Sequence, residues 1–199
     1  MNILKLFQYH QKLKFSDIER ALKVRSNKLA YHIKNLTKKG FLIKEGTDYS
    51  LSESSEYLIP YLSEKKPIVP VILIRLGDNK KCFLYTRNKR PFKDKLSLPG
   101  GRILFGESIP DAVKRMMKEK FNINAKLIQI HSVSIENLKK DGKIIQTDIV
   151  LFVSAKTIDK LSMTNIEENR SKIITSDYFL IKNDSNKKIN INTINTLKF

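Results

Sequence analysis

Gly101 to Ile123 reads GRILFGESIPDAVKRMMKEKFNI, and this stretch decides the fold of the larger part of the chain. A loop bearing Gly101 and Gly106 runs into an amphipathic helix from about Ile109 to Phe121, with Val113, Met116 and Met117 on its apolar face. Positions 116, 119 and 120 are related as i, i+3 and i+4, so their side chains leave one helix face toward one point. They hold Met116, Glu119 and Lys120.

On its N-terminal side, LSLPG directly precedes the stretch, and before that comes RNKRPFKDK, a loop with five basic residues, Arg87, Lys89, Arg90, Lys93 and Lys95, and one acid. Ile68 to Leu76 and Cys82 to Thr86 flank the turn sequence GDNKK and read as paired strands. Downstream, Leu127 to Ile135 and Ile144 to Ala155 read as further strands with KKDG as a hairpin turn, and a short helix is expected near Ser176 to Leu180. The tail from Lys182 to Phe199, rich in Asn, Lys and Ile, carries no clear pattern.

LPGG, GES and the helix stand in the order of a Nudix box, and residues 68 to 180 resemble the Nudix family. The box pattern is G, five residues, E, seven residues, R-E-U-x-E-E-x-G-U, with U aliphatic. Gly101, Glu107, Arg115, Met117, Glu119 and Ile123 fall on it, whereas Met116, Lys120 and Asn122 do not. The resemblance implies a mixed β-sheet packed between helices, and an activity that cleaves a nucleoside diphosphate linked to another moiety. It also implies Mg²⁺ or Mn²⁺ held by three glutamates of the box helix. Here those positions change the local formal charge from −3 to zero, leaving Glu119 as the one weak metal ligand and Glu107 and Glu119 as residual catalytic acids. A thioether is a poor Mg²⁺ ligand and an ammonium repels the ion, so no cofactor is required unless hydrolysis survives.

Three consequences stay open at this level. Arg115, which in the family steadies the first glutamate, either faces a ligand or pairs with Glu107. Glu107, Glu119 and Glu136 could form a relocated metal site. Alternatively Lys120 takes over part of the metal's electrostatic role toward a diphosphate, aided by the basic loop, which gives Arg87, Arg90, Gly101, Arg102, Arg115 and Lys120 as candidate ligand-binding residues.

The first 66 residues read differently. Helices are expected from Asn2 to about Gln11, from Ser16 to about Lys23 with SDIE as a capping box, and from Ser26 to Gly40 with Leu29, Ile33 and Leu36 buried. FLIKEGTDYSL follows as a hairpin, then a helix from Glu53 to about Glu64 carrying Tyr57, Leu58, Tyr61 and Leu62, and a polar joint of Glu64, Lys65, Lys66 and Pro67. Order and spacing resemble a winged helix-turn-helix of the small-ligand repressor type. In that reading Arg25, Ser26, Asn27, Lys28 and Tyr31 meet base edges and phosphates, while Lys34, Lys38, Lys39 and Lys44 contact the backbone; His32 is structural.

Composition bounds these readings. Net charge is +18 over 199 residues, and residues 1 to 44 hold eleven Lys or Arg against Asp17 and Glu19, the footprint of a phosphate-backbone binder, although a Lys- and Ile-rich proteome accounts for part of it. No apolar run reaches membrane-span length, the N-terminus lacks the features of a signal peptide, and Cys82 as sole cysteine fits a reducing cytoplasm. The expected fold is α+β: a winged helix-turn-helix domain over 1–66 followed by a Nudix-like α/β/α sandwich with a mixed sheet over 67–199. Joined, the two resemble the Nudix-type transcription regulators, which sense ADP-ribose or sugar derivatives and release DNA, although those place the Nudix domain first. The expected protein is a cytoplasmic homodimeric regulator of DNA that senses a nucleotide or sugar-phosphate ligand. The alternative is a Mg²⁺-dependent Nudix hydrolase with the first domain as a tether.

Overall fold

Leu29 and Ile33, one helical turn apart, are buried with Ile3, Phe7, Ile18 and Leu42, and around these six residues the first unit closes. The computed structural model describes residues 3–62 and 68–192, apart from the side chains of residues 56, 57, 59 and 60. It divides the chain into units Met1–Pro67 and Ile68–Phe199. In the first unit a 3-10 helix, Ile3–Gln8, leads through β1 (Leu13–Lys14) to α1 (Phe15–Leu22) and α2 (Ser26–Lys38). A hairpin of β2 (Leu42–Glu45) and β3 (Asp48–Leu51) follows, with β3 between β1 and β2, and then a second 3-10 helix, Glu53–Leu62.

Several local expectations change. Helix α1 starts one residue earlier than Ser16: Asp17, not Glu19, accepts from the amide at the helix entrance, Lys14 N, at 3.2 Å. Glu19 instead accepts from the Ser26 hydroxyl and so ties α1 to the start of α2. The first and last helices are tighter than expected, with i to i+3 bonds such as Tyr9 N to Leu6 O at 3.3 Å. Tyr61 is exposed and Leu62 buried, while the Tyr57 side chain and the joint 64–67 lie outside the described residues. Gly40 adopts φ of 74° just past α2, the left-handed backbone that stops the helix.

The second unit runs through β4 (Val69–Arg75), the short strands β5 (Lys81–Cys82), β6 (Tyr85–Thr86) and β7 (Leu96–Ser97), and then β8 (Gly100–Arg102) and α3 (Ile109–Phe121). The long strands β9 (Lys126–Lys140) and β10 (Lys143–Lys156) follow, then β11 (Thr164–Asn165) and α4 (Thr175–Asn183). Four of these strands form a mixed sheet in the order β8-β4-β10-β9, in which β10 runs parallel to β4 and the other pairs are antiparallel. Alternation along the strands fills two cores. Ile72, Ile74, Leu151 and Val153 meet α3, whereas Val150 and Phe152 meet α4 with Val71 and Leu73 on the same side. Helices on both faces make an α/β/α sandwich.

The expected pairing of Ile68–Leu76 with Cys82–Thr86 is not found as a ladder. The second segment splits into β5 and β6, and a single bridge, Gly77 to Cys82, is what remains of the hairpin. β5 pairs with β11, and β6 with β7. Cys82 is fully buried there, and burial pushes its thiol up to about 12, which keeps it inert at neutral pH. No helix among the described residues is long and apolar enough to cross a membrane.

Candidate functional site

Helix α3 keeps the bounds expected of it because both ends are fixed locally. Ser108 caps it by accepting from Asp111 N at 3.3 Å, and Asn122 leaves it in the left-handed conformation. This sets the rotation of the helix, and the rotation sets the site. Met116 is 1% exposed and sits in the core beside Val113 and Met117, so the first of the three metal positions is packed shut.

Two glycines shape the space here, Gly101 beneath α3 and Gly100 against β4. A Cβ on Gly101 would lie 3.3 Å from Lys120 Nζ and 3.5 Å from Met116 Sδ, and one on Gly100 would overlap the Ile72 carbonyl oxygen. Through that gap the Lys120 ammonium donates to the Gly100 carbonyl. Partial burial lowers the Lys120 pKa, and the nearby cations Arg87, Arg115 and Lys89 lower it further.

Arg115 pairs with Glu107, which resolves the alternative left open by the sequence. Its Nε donates to Glu107 Oε1 at 2.5 Å and its Nη2 to Glu107 Oε2 at 2.8 Å and to the Arg102 carbonyl at 3.1 Å. Glu107 also accepts from Leu104 N at 3.0 Å, so the loop before α3 is pinned to the helix. The hydrogen bond from Arg115 holds the Glu107 carboxyl below its usual range, and the same bond raises Arg115. Glu119 is exposed and, among the described residues, reaches only Arg115 Nη1, at 3.4 Å.

The residues do not fit a Mg²⁺ ion. Met116 is buried sulfur, Lys120 is a cation, and Glu107 and Glu119 both serve Arg115. Among the described residues no three of His, Cys, Asp and Glu stand close enough to hold one ion, so the relocated site of Glu107, Glu119 and Glu136 is not formed. Glu136 lies instead on β9, in the wall of a cavity.

That cavity has a volume of about 600 Å³. Of the candidate ligand-binding residues, Arg87, Gly101, Arg102 and Lys120 line it, and Arg90 and Arg115 do not. Arg90 is exposed on the basic loop and Arg115 is occupied by Glu107. Lys89, Glu136, Asp148 and Asp177 line it too. Asp177 is 3% exposed, and its Oδ2 accepts from Leu98 N at 2.7 Å and Ser97 Oγ at 2.9 Å. Burial outweighs these bonds and pushes Asp177 up to about 6, with Glu136 adding to the rise. Nothing local in TSDYFL marks this residue; the signal is its position opposite β7, a contact between residues 80 apart in the chain.

In the first unit, Arg25 at the N-cap of α2 and Asn27, Lys28, Tyr31, Lys34 and Lys38 along it are exposed, and Tyr31 is 64% exposed. Ser26 is exposed as well, but its hydroxyl is committed to Glu19. Lys44 lies over the Tyr49 ring, 5.7 Å from its centroid, on the hairpin. His32 is half-buried and meets Tyr31 edge-on with centroids 5.5 Å apart.

A sandwich with a box helix over a mixed sheet and a cavity beside its glycine-rich lead-in defines the Nudix class of fold. The NUDIX domain model matches residues 65–175, more than half of the chain, and the chain belongs to that family. It is similar to a Nudix hydrolase from Nitrosomonas europaea, at 17% identity and a TM-score of 0.52 over 61% of this chain and 92% of that one. It is also similar to a MutT protein from Methanosarcina mazei Go1, at 16% identity and a TM-score of 0.49 over 63% of this chain and 100% of that one. A third likeness is to the Nudix domain of Shewanella oneidensis NrtR, a cocrystal with ADP ribose, at 19% identity and a TM-score of 0.47 over 66% and 96% of the two chains. No curated protein matches the chain.

Proposed function

We propose that this protein is a DNA-binding regulator whose Nudix domain binds a phosphorylated or nucleotide-type small ligand without cleaving it. One observation carries this reading: the Lys120 ammonium, bound to the Gly100 carbonyl at the rim of a cavity of about 600 Å³, stands where the family pattern has a metal-holding carboxylate. A fixed cation at that point attracts phosphate oxygens as the metal would, yet supplies neither a Lewis acid nor a metal-bound water. Arg87 and Lys89 add positive charge to the same cavity.

The first unit supplies the DNA-binding half as a winged helix-turn-helix. Helix α2 presents Asn27, Lys28, Tyr31 and Lys34 on its open face, with Arg25 at its entrance, Lys38 at its end and Lys44 on the hairpin. Positive side chains on an exposed helix beside a hairpin suit a major groove flanked by phosphates. A homodimer is part of the proposal, because two recognition helices set one turn of duplex apart let a ligand alter operator affinity by changing their spacing.

The test is fluorescence anisotropy of a labelled duplex titrated with the full chain at several salt concentrations, with and without ADP-ribose. Binding that weakens steeply with salt and weakens further with ADP-ribose is expected. Salt-insensitive or absent binding contradicts the DNA-binding half.

A further inference from the structure

The cavity at Lys120 has a second wall of opposite sign. Glu136 on β9 and Asp148 on β10 stand directly opposite one another in the antiparallel register, and Asp177 enters from the first turn of α4. Like charges placed opposite across a β-pair weaken the pair unless something else satisfies them. Among the described residues, none of the three carboxylates forms an ion pair. Among the described residues the Glu136 side chain makes no hydrogen bond, the Asp148 side chain accepts only from the Gln146 amide at 2.6 Å, and the Asp177 side chain uses only Oδ2. The buried Asp177 therefore keeps Oδ1 without a hydrogen-bond donor in a residue that lines the cavity.

The three acids do not stand close enough together to hold one metal ion. They offer acceptors and no donors, so whatever lies against them must donate hydrogen bonds and carry no negative charge. The other charged residues of the cavity, Arg87, Lys89, Arg102 and Lys120, are all cations. A volume of about 600 Å³ has room for a ring together with a phosphate.

The geometry points to a ligand with two unlike ends: a phosphate at Lys120, Arg87 and Lys89, and an uncharged sugar ring whose hydroxyls donate to Glu136, Asp148 and Asp177. This rests on the phosphate-binding reading of the basic residues. The acidic wall makes the selection, because a second phosphate at the far end of the sugar would meet carboxylates and be rejected.

Isothermal titration of the full chain at pH 8 with inorganic phosphate, glucose 1-phosphate and glucose 1,6-bisphosphate tests this. Glucose 1-phosphate is expected to bind about tenfold or more tighter than inorganic phosphate, and tighter than the bisphosphate despite its smaller charge. Glu136→Gln and, independently, Asp148→Asn are expected to bring the bisphosphate level with glucose 1-phosphate or above it. A wild-type preference for the bisphosphate, or an order unchanged in both variants, overturns the inference alone. If no phosphate compound binds the wild-type chain, the phosphate reading falls and the inference with it.

Discussion

Arg115 grips Glu107 with two hydrogen bonds, Nε to Oε1 at 2.5 Å and Nη2 to Oε2 at 2.8 Å, and in doing so fastens the loop before the box helix to the helix itself. With Met116 in the first metal position, the arginine has no glutamate there to steady, and its polar reach goes to structure. Removing either partner strands the other in a partly buried place. Glu107→Gln and Arg115→Gln should each lower stability by about 2 kcal/mol, and the double variant should lose less than the sum, as read by urea denaturation in a double-mutant cycle. Strict additivity would mean that the pair does not hold the loop.

Restoring the family's carboxylates should be costly without metal. Met116→Glu places a carboxylate in a core position that is 1% exposed and should destabilise the chain by on the order of 3 kcal/mol. In the double variant Met116→Glu, Lys120→Glu, millimolar Mg²⁺ should raise the melting temperature, while the wild type should show no such response. A wild-type chain stabilised as strongly as the double variant would contradict the reading of Met116 and Lys120.

How much of this is legible in the sequence depends on distance along the chain. Helix α3 is readable to its ends because its cap and its stop, Ser108 and Asn122, are local. Met116 and Lys120 can be recognised as defects because a fixed spacing places them on one face. The partners of β5 and β6 cannot be read, since each strand has two residues and β5 pairs with Thr164–Asn165 far downstream. The acidic wall escapes for the same reason: Glu136, Asp148 and Asp177 come from three elements, and only the register of β9 and β10 and the packing of α4 bring them to one cavity. Ser16 and Glu19 match a capping pattern, yet Asp17 takes the role because the helix is capped at Lys14, two residues before Ser16.

Asp177 gives the fold a definite pH dependence. Its carboxyl is raised from 3.8 to about 6, so its stabilising contribution is complete below about pH 4 and is lost as pH rises through 6. Replacing it with Asn keeps an acceptor for Leu98 N and Ser97 Oγ but removes the charge. Relative to Asp177→Asn, the wild type should lose about 3 kcal/mol between pH 4 and pH 8, measured as the difference in unfolding free energy. A constant difference across that range would show that the carboxyl titrates normally.

The exposed cations of α2 should act on DNA without regard to sequence. Lys34→Ala should weaken binding similarly for different duplexes and reduce the slope of log affinity against log salt by about 1. Arg25→Ala should change the preference among sequences more than the slope, if that side chain reaches base edges. Equal loss of slope for both would place Arg25 on the backbone.

Whether the cation at position 120 takes the metal's place, holding a phosphate that is not cut, is decided by one titration. Calorimetry with ADP-ribose in EDTA and in Mg²⁺, with the ligand recovered afterward and assayed for cleavage, reads binding and turnover together. Equal affinity in both buffers with intact ligand is expected, and a loss of about tenfold or more in Lys120→Gln. Binding only with Mg²⁺, accompanied by release of a monophosphate that Glu119→Gln abolishes, would contradict it and make this protein a hydrolase.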